Sequence, residues 1–433
     1  MDKASWHEFL VYALNRPLAF AIMDLAARLG RVAHLPPIGT FVNDAEIARE
    51  VLTDTEHFDS HSPGSLGVLI TQALGSYALL NMDGPEHRQV KRLLLDVFSN
   101  KYISLLLDTV TDPLVAELRA DLAAGCTVDF VAFMKTFASA MACAMMGVTV
   151  DSADERRAYS DMFSLAREFT ALAGLGKRRL SAAEIARAHR ITNQLAAHIR
   201  DSYDSKTVRE NSLAQKMRAL GFPFEAAKGV IIIVMIGATE LITYGVPRML
   251  ALLVDSGQMA KLRARPDLLD QAVDEGFRMV TPSNVVLRAV TADREISGVR
   301  FRRGTRVLVV FRTIMRRDRH FPNGTRFDIE RKIDPRFRRL LFGAGPHTCL
   351  GTGLALAEAR QVLGAVCKLD DEIEIVARHY NRGQTYPGYS NLAIRLRRHV
   401  TAHSPAAGEN PAQSETRQRA NAAHAPGSGQ SHI

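Results

Sequence analysis

From Phe342 to Gly351 the chain reads Phe-Gly-Ala-Gly-Pro-His-Thr-Cys-Leu-Gly, and a helix-like segment follows to Cys367. Few architectures need such a loop. Gly343 and Gly345 permit backbone torsions that a side chain resists, and they leave room for a flat macrocycle to approach the backbone. Cys349 falls where a helix begins, so backbone N–H groups and the helix dipole can stabilise a thiolate there. The plainer alternative is a glycine-rich strand-to-helix turn with an incidental cysteine.

The other cysteines, Cys126, Cys143 and Cys367, form no Cys-x-x-Cys pair, so a zinc site on that spacing is not expected. Four cysteines in 433 residues are too sparse for a secreted disulfide framework. Cys126 and Cys143, in Ala/Met-rich surroundings, read as buried, inert thiols. With 47% apolar and 23% charged residues the chain is ordinary globular material. Its formal charge of +9 comes from bases scattered between apolar runs, locally dense only at 300–306 and 331–339. That pattern speaks against a nucleic-acid partner and leaves either a solvated face or a docking patch for an acidic protein.

Periodicity predicts a mainly α fold with a small β-rich region. Ile38–Val42 and Val51–Leu52 flank a helix-like Asp44–Glu50, suggesting a strand–helix–strand start. Lys228–Val254 is a long apolar helix with Pro247 inside it, where a kink is expected. Leu262–Met279 is another helix, and Val285–Val290 and Val307–Val310 read as strands. Phe9–Leu29 is apolar but broken by Arg16, Pro17, Asp24 and Arg28, so residues 1–29 are expected to form an amphipathic segment on the body of the protein rather than a membrane span. No secretory signal is apparent, and a cytoplasmic location is expected. A single large domain over 30–402 and a polar, disordered tail over 403–433 complete the expected layout.

The cysteine loop matches the FGxGxHxCxG signature of cytochrome P450s at every specified position, and the chain resembles that family over nearly everything but the tail. The resemblance implies the cytochrome P450-like fold as one large domain, with haem b as cofactor and Cys349 as the axial ligand of its iron. A thiolate ligand is electron-donating and favours cleavage of bound O₂. Electrons would come from a ferredoxin- or flavodoxin-like donor with its reductase, docking on the face nearest the cysteine, where the basic run 331–339 should lie.

Further segments fall in the order this family requires. Glu275-Gly-Phe-Arg278 resembles its ExxR motif, in which residues three apart share a helix face and pair. Arg331, in Phe-Asp-Ile-Glu-Arg, resembles the third member of the family's Glu-Arg-Arg cluster, a structural element behind the haem. His87 resembles the family's propionate-gripping histidine. The usual arginine four residues on is here Lys91, with Arg92 beside it, so a cation is kept and a bidentate fork is not unless Arg92 substitutes. Arg288 and His347 match other propionate-binding positions.

The long helix departs from the pattern. In the family it carries an acid followed by Thr; here the segment is Ile236-Gly-Ala-Thr-Glu-Leu-Ile-Thr243. In one register, the preferred one, Glu240 takes the acid position and Leu241 replaces the alcohol. In the other, Thr239 takes the acid position and Glu240 the alcohol. Glu240, with Thr239, is the expected proton-handling group. The resemblance implies a monooxygenase acting on a C–H bond of an apolar small molecule, a terpenoid or diterpenoid among the candidates. The altered distal segment leaves open a peroxide-driven or otherwise atypical haem-thiolate oxidase or isomerase. The pocket is expected under Ser65–Leu80 and Phe163–Leu175.

Overall fold

A 32-residue helix, Phe224–Asp255, runs through the protein, and it is apolar around its whole circumference. Such a helix has no polar face to show water and is covered along most of its length. By length and composition it passes for a membrane span, yet 72% of its most apolar window is buried inside the fold. It packs on Phe130–Met146, Glu155–Leu172 and Leu269–Val280. Pro247 lies within it without ending it. The computed structural model describes residues 2–63, 65, 67–75, 78–148, 154–172, 179–204 and 209–397. The tail expected at 403–433 lies outside them, as do residues 66, 76, 77 and 173–175 of the two segments expected over the pocket.

Helices dominate and the sheets are small. One sheet has the strand order Val32–Leu35, Gly39–Val42, Arg306–Val310, Val285–Val290, Phe58–Asp59, with the second and third strands parallel and the other pairs antiparallel. A second joins Val128–Asp129, Tyr389–Arg397 and Glu372–Tyr380. The start of the chain differs from the strand–helix–strand reading. Val51 and Leu52 belong to the helix Ala45–Thr53, whose first turn is capped by Asp44 accepting from the Glu46 and Ile47 amides. The strand that pairs with Gly39–Val42 on this side is Val32–Leu35.

The single helix expected at Leu262–Met279 is two, Gln258–Ala264 and Leu269–Val280. Pro266, which has no N–H to donate, sits in the turn between them. The N-terminal segment is also two helices, Lys3–Asn15 and Pro17–Leu29, bent by 118° at Arg16-Pro17. From the first, Glu8 reaches into the core and accepts from Arg248 Nε (3.0 Å), Arg248 Nη2 (2.7 Å) and Arg316 Nη2 (2.8 Å). Cys143 is buried, and burial pushes its thiol up to about 12. Cys126, expected to be buried, is exposed: it lies in the loop after the helix Asp112–Ala123.

Candidate functional site

The cysteine loop leaves the turn Leu340–Phe342 and enters the helix Thr352–Cys367. Gly343 and Gly345 both have positive φ, +86° and +66°. A Cβ on Gly345 would lie 2.9 Å from Thr53 Cα, so the loop is seated directly on the helix Ala45–Thr53. The Cys349 amide donates to Phe342 O at 2.8 Å, closing the loop on itself. Surrounding protein pushes the Cys349 thiol up; the Gly351 N–H, the Lys91 charge and the Thr352 hydroxyl oppose that shift. Despite those surroundings Cys349 is exposed.

The helix Gly84–Leu93 brings His87 and Lys91 to this loop. Lys91 Nζ donates to Pro346 O (2.5 Å) and Thr348 O (2.6 Å), stapling the helix to the cysteine loop. Arg92, the next residue round the helix, points to the surface and is exposed. His347 Nε2 lies 2.5 Å from Asp83 Oδ1. Burial alone would raise the Asp83 carboxyl, but the His347 and His61 hydrogen bonds and the His347 charge hold it down at about 2. Asp83 is the member of this cluster that the motifs did not single out.

His87 and Arg288 are placed differently. The rings of His87 and His347 are 4.4 Å apart, and burial, then the charges of His347 and Lys91, lower the His87 pKa to about 4. Arg288, on the strand Val285–Val290, is buried; its Nη1 donates to Leu287 O at 2.9 Å. Among the described residues, neither His87 Nδ1 nor Arg288 Nε has a hydrogen-bond partner. Each orphaned buried group costs roughly 1–3 kcal/mol. Two such nitrogens beside the cysteine loop fit carboxylates of a bound group, as the propionates of haem would supply. Of the expected propionate contacts, then, His87 and Arg288 hold unspent nitrogens, while His347 is engaged by Asp83 and Lys91 by loop carbonyls.

On the long helix, Val234, Gly237, Ala238 and Leu241 are accessible while Met235, Ile236, Thr239 and Glu240 are buried. The accessible set falls at i, i+3, i+4, i+7, one helical face. A Cβ on Gly237 would meet nothing within 4 Å. Glu240 points away from that face: its Oε1 accepts from Thr170 Oγ1 at 2.7 Å. Burial raises its pKa to about 7, with the Thr170 bond and the Arg167 charge pulling the other way. Thr239 returns its hydroxyl to its own helix, donating to Met235 O (3.0 Å) and Ile236 O (3.3 Å). Sequence reading missed Thr170, because a contact between helices 70 residues apart leaves no local pattern.

Behind the loop, Glu275 and Arg278 are fully buried. Arg278 Nε and Nη2 donate to the two Glu275 oxygens (2.6 and 2.7 Å), and Arg331 Nε reaches both at 3.2 Å. The remaining donors of the two arginines bond carbonyls of residues 315–326, including Gly324 O and Arg326 O. Arg331 is thus used inside the fold. Within the basic run, Arg336 pairs with Asp334, and Arg338 and Arg339 flank Asp274. Arg339 also borders a cleft with Asn100, Gly353 and Arg360, on the outer side of the cysteine helix.

The family model for cytochrome P450 matches residues 253–368, which hold the Glu275–Arg278 pair, Arg331 and the cysteine loop together. Over that stretch the chain is similar to the cytochrome P450 family. The biotin biosynthesis cytochrome P450 of Bacillus subtilis is 35% identical over 136 residues, 31% of this chain and 34% of that protein. The 20-oxo-5-O-mycaminosyltylactone 23-monooxygenase of Streptomyces fradiae is 27% identical and covers 68% of each chain. The alignments to the first-matching curated cytochromes P450 span about a third of their length. The fold agrees over far more. P450BioI, solved with an acyl carrier protein bearing hexadec-9Z-enoic acid, superposes with a TM-score of 0.75 at 20% identity, over 87% of this chain and 97% of that one. CalO2 superposes at 0.72 and 22% identity, over 88% and 96%. The mainly helical P450 fold expected from sequence is thereby established.

Proposed function

We propose that this protein is a haem-thiolate monooxygenase that oxidises a C–H bond of an apolar small molecule. The observation that carries the reading is the pair of unspent buried nitrogens, His87 Nδ1 and Arg288 Nε, flanking a loop whose cysteine is accessible. Cys349 would ligate the iron of haem b, and His87 and Arg288, with His347 sharing its bond to Asp83, would hold the propionates. When bound, that group supplies reductive activation of O₂, made possible by a donating thiolate. The Gly351 N–H and Thr352 hydroxyl orient and stabilise the sulfur. The accessible face of the long helix, Val234, Gly237, Ala238 and Leu241, would border the bound group, and its apolar character would exclude water and favour an apolar substrate. Glu240, in the acid register, would hold a proton on a carboxyl that burial keeps near neutrality, within reach of Thr170.

Electrons would come from a ferredoxin- or flavodoxin-like donor and its reductase, docking near Arg338, Arg339 and Arg360. A cytoplasmic location is part of the same proposal. Terpenoids or diterpenoids are our suggested substrate class; the biosynthetic roles named for the relatives support a tailoring oxidation in general.

The test is the carbon monoxide difference spectrum of the dithionite-reduced protein. A Soret band at the red-shifted thiolate position, lost in Cys349→Ala, is the expected result. Folded, haem-supplied protein with no such band overturns the assignment. Leu241, standing where the family has an alcohol, favours one second reading, a peroxide-driven oxidase. Turnover with hydrogen peroxide but not with ferredoxin and NAD(P)H would decide for it.

A further inference from the structure

Ten large apolar side chains are exposed among the described residues, and five of them, Trp6, Leu14, Leu18, Leu25 and Leu29, lie in the N-terminal helix pair. The other five are spread over separate parts of the fold. On Pro17–Leu29 the exposed positions are ordered: Leu18 (74% exposed), Ala21, Leu25 (50%) and Leu29 (58%) fall at i, i+3, i+7 and i+11, one face of the helix. The opposite face is held down. Met23 and Ala26 are buried in a small cluster with Phe41, Leu287 and Leu308, and Asp24 pairs with Arg317. The preceding helix is pinned by Glu8 in its bonds to Arg248 and Arg316. The aliphatic stripe is therefore the outer surface of a fixed platform, not a frayed end.

Soluble proteins scatter exposed leucines singly, whereas an ordered row marks an interaction surface. Trp6 belongs to the same platform: its ring stacks on Phe9 at 5.7 Å, and Phe9 meets Phe20 of the second helix edge-on at 5.4 Å. Arg28 and Arg31 stand near Leu29 with exposed side chains, each paired with a carboxylate that is itself largely covered, Asp24 and the buried Asp44. On a chain of net charge +9, this basic margin disfavours a second copy and complements an anionic surface.

We propose that the face formed by Leu18, Ala21, Leu25 and Leu29 docks on an anionic lipid bilayer, with the helix lying in the plane of the interface. The 118° bend at Arg16-Pro17 and the buried anchors Glu8, Met23 and Ala26 make this a surface contact and not a span. Such docking sets the enzyme where apolar small molecules concentrate.

The experiment is flotation of the full-length, haem-loaded protein with phosphatidylglycerol/phosphatidylcholine vesicles. Trp6, the chain's single tryptophan, serves as an internal reporter. Binding with a blue shift of its emission, weakened by salt, is expected. Leu18→Ser/Leu25→Ser should bind at least about tenfold more weakly while keeping the carbon monoxide spectrum of the parent. No flotation, or flotation indifferent to the double substitution, overturns the proposal. So does equal binding to pure phosphatidylcholine vesicles, which removes the anionic surface as occupant. A concentration-dependent dimer lost in the same variant would reassign the face to self-association.

Discussion

Thr170 gives its hydroxyl proton to Glu240 across 2.7 Å, so the helix Glu155–Leu172 holds the acid of the long helix with a neutral group. Arg167 contributes charge from one turn away, and Tyr244 and Tyr386 face the same carboxyl. With no direct ion pair among the described residues, burial dominates and raises the Glu240 pKa to about 7.

A pH dependence of stability follows. The folded protein keeps the Glu240 proton up to about pH 7, whereas the unfolded chain releases it near the ordinary glutamate value of 4.5. Between those values the unfolded state loses its proton first, so this group makes stability fall as pH rises, by up to about 3 kcal/mol. Glu240→Gln should flatten that slope and gain on the parent between pH 5 and 7.5 in urea unfolding. Parallel profiles for the two proteins would mean that Glu240 is already ionised in the fold.

Haem retention should depend on His87 and Arg288 more than on Arg92. Replacing His87 by Leu, or Arg288 by Met, removes a buried donor and should speed haem transfer to an apoglobin acceptor by about 10- to 100-fold, corresponding to ~1–3 kcal/mol. Arg92→Ala, at an exposed position, should change the rate by less than about twofold.

Breaking the cluster behind the loop should be a folding defect. Arg278→Met leaves Glu275 buried with only Arg331 and the Asp328 amide, a loss of about 3–5 kcal/mol. The expected readout is a lowered Tm, or no soluble holoprotein at all. A variant with parental Tm would show that the cluster is dispensable.

Glu8→Ala removes the carboxylate that Arg248 and Arg316 share and strands two buried guanidinium groups. A cost of about 3–5 kcal/mol is expected, concentrated in the N-terminal helices. Limited proteolysis should cut within the first 30 residues of this variant and spare the parent.

What could be read in advance was whatever repeats along the chain or sits in one short loop. The long helix, the strands 285–290 and 306–310 and the cysteine loop are all of that kind, because periodicity and glycine punctuation are local signals. Ends and breaks fared worse. Val51–Leu52 is apolar enough for a strand, but the Asp44 cap extends the helix through it, and Pro266 divides a helix that its apolar pattern would have joined. The site was legible as a set of residue types, not as a set of partners. Lys91 occupies the place of an arginine, yet its ammonium goes to two loop carbonyls, and His347 is taken by an aspartate that no motif marked. Long-range pairs such as Glu8 with Arg248 carry no trace in spacing.

The seat of Gly345 against Thr53 has a consequence for the order of events in synthesis. The helix Ala45–Thr53, which moulds the cysteine loop, leaves the ribosome roughly 290 residues before the loop that presses on it. A contact of such separation forms late and slowly. Until it does, the sulfur has no fixed position, and a nascent chain holding only its first four-fifths does not yet contain Cys349. A bound haem of the kind proposed would then be gripped only after the loop has met that helix, so uptake would follow completion of this contact rather than precede it.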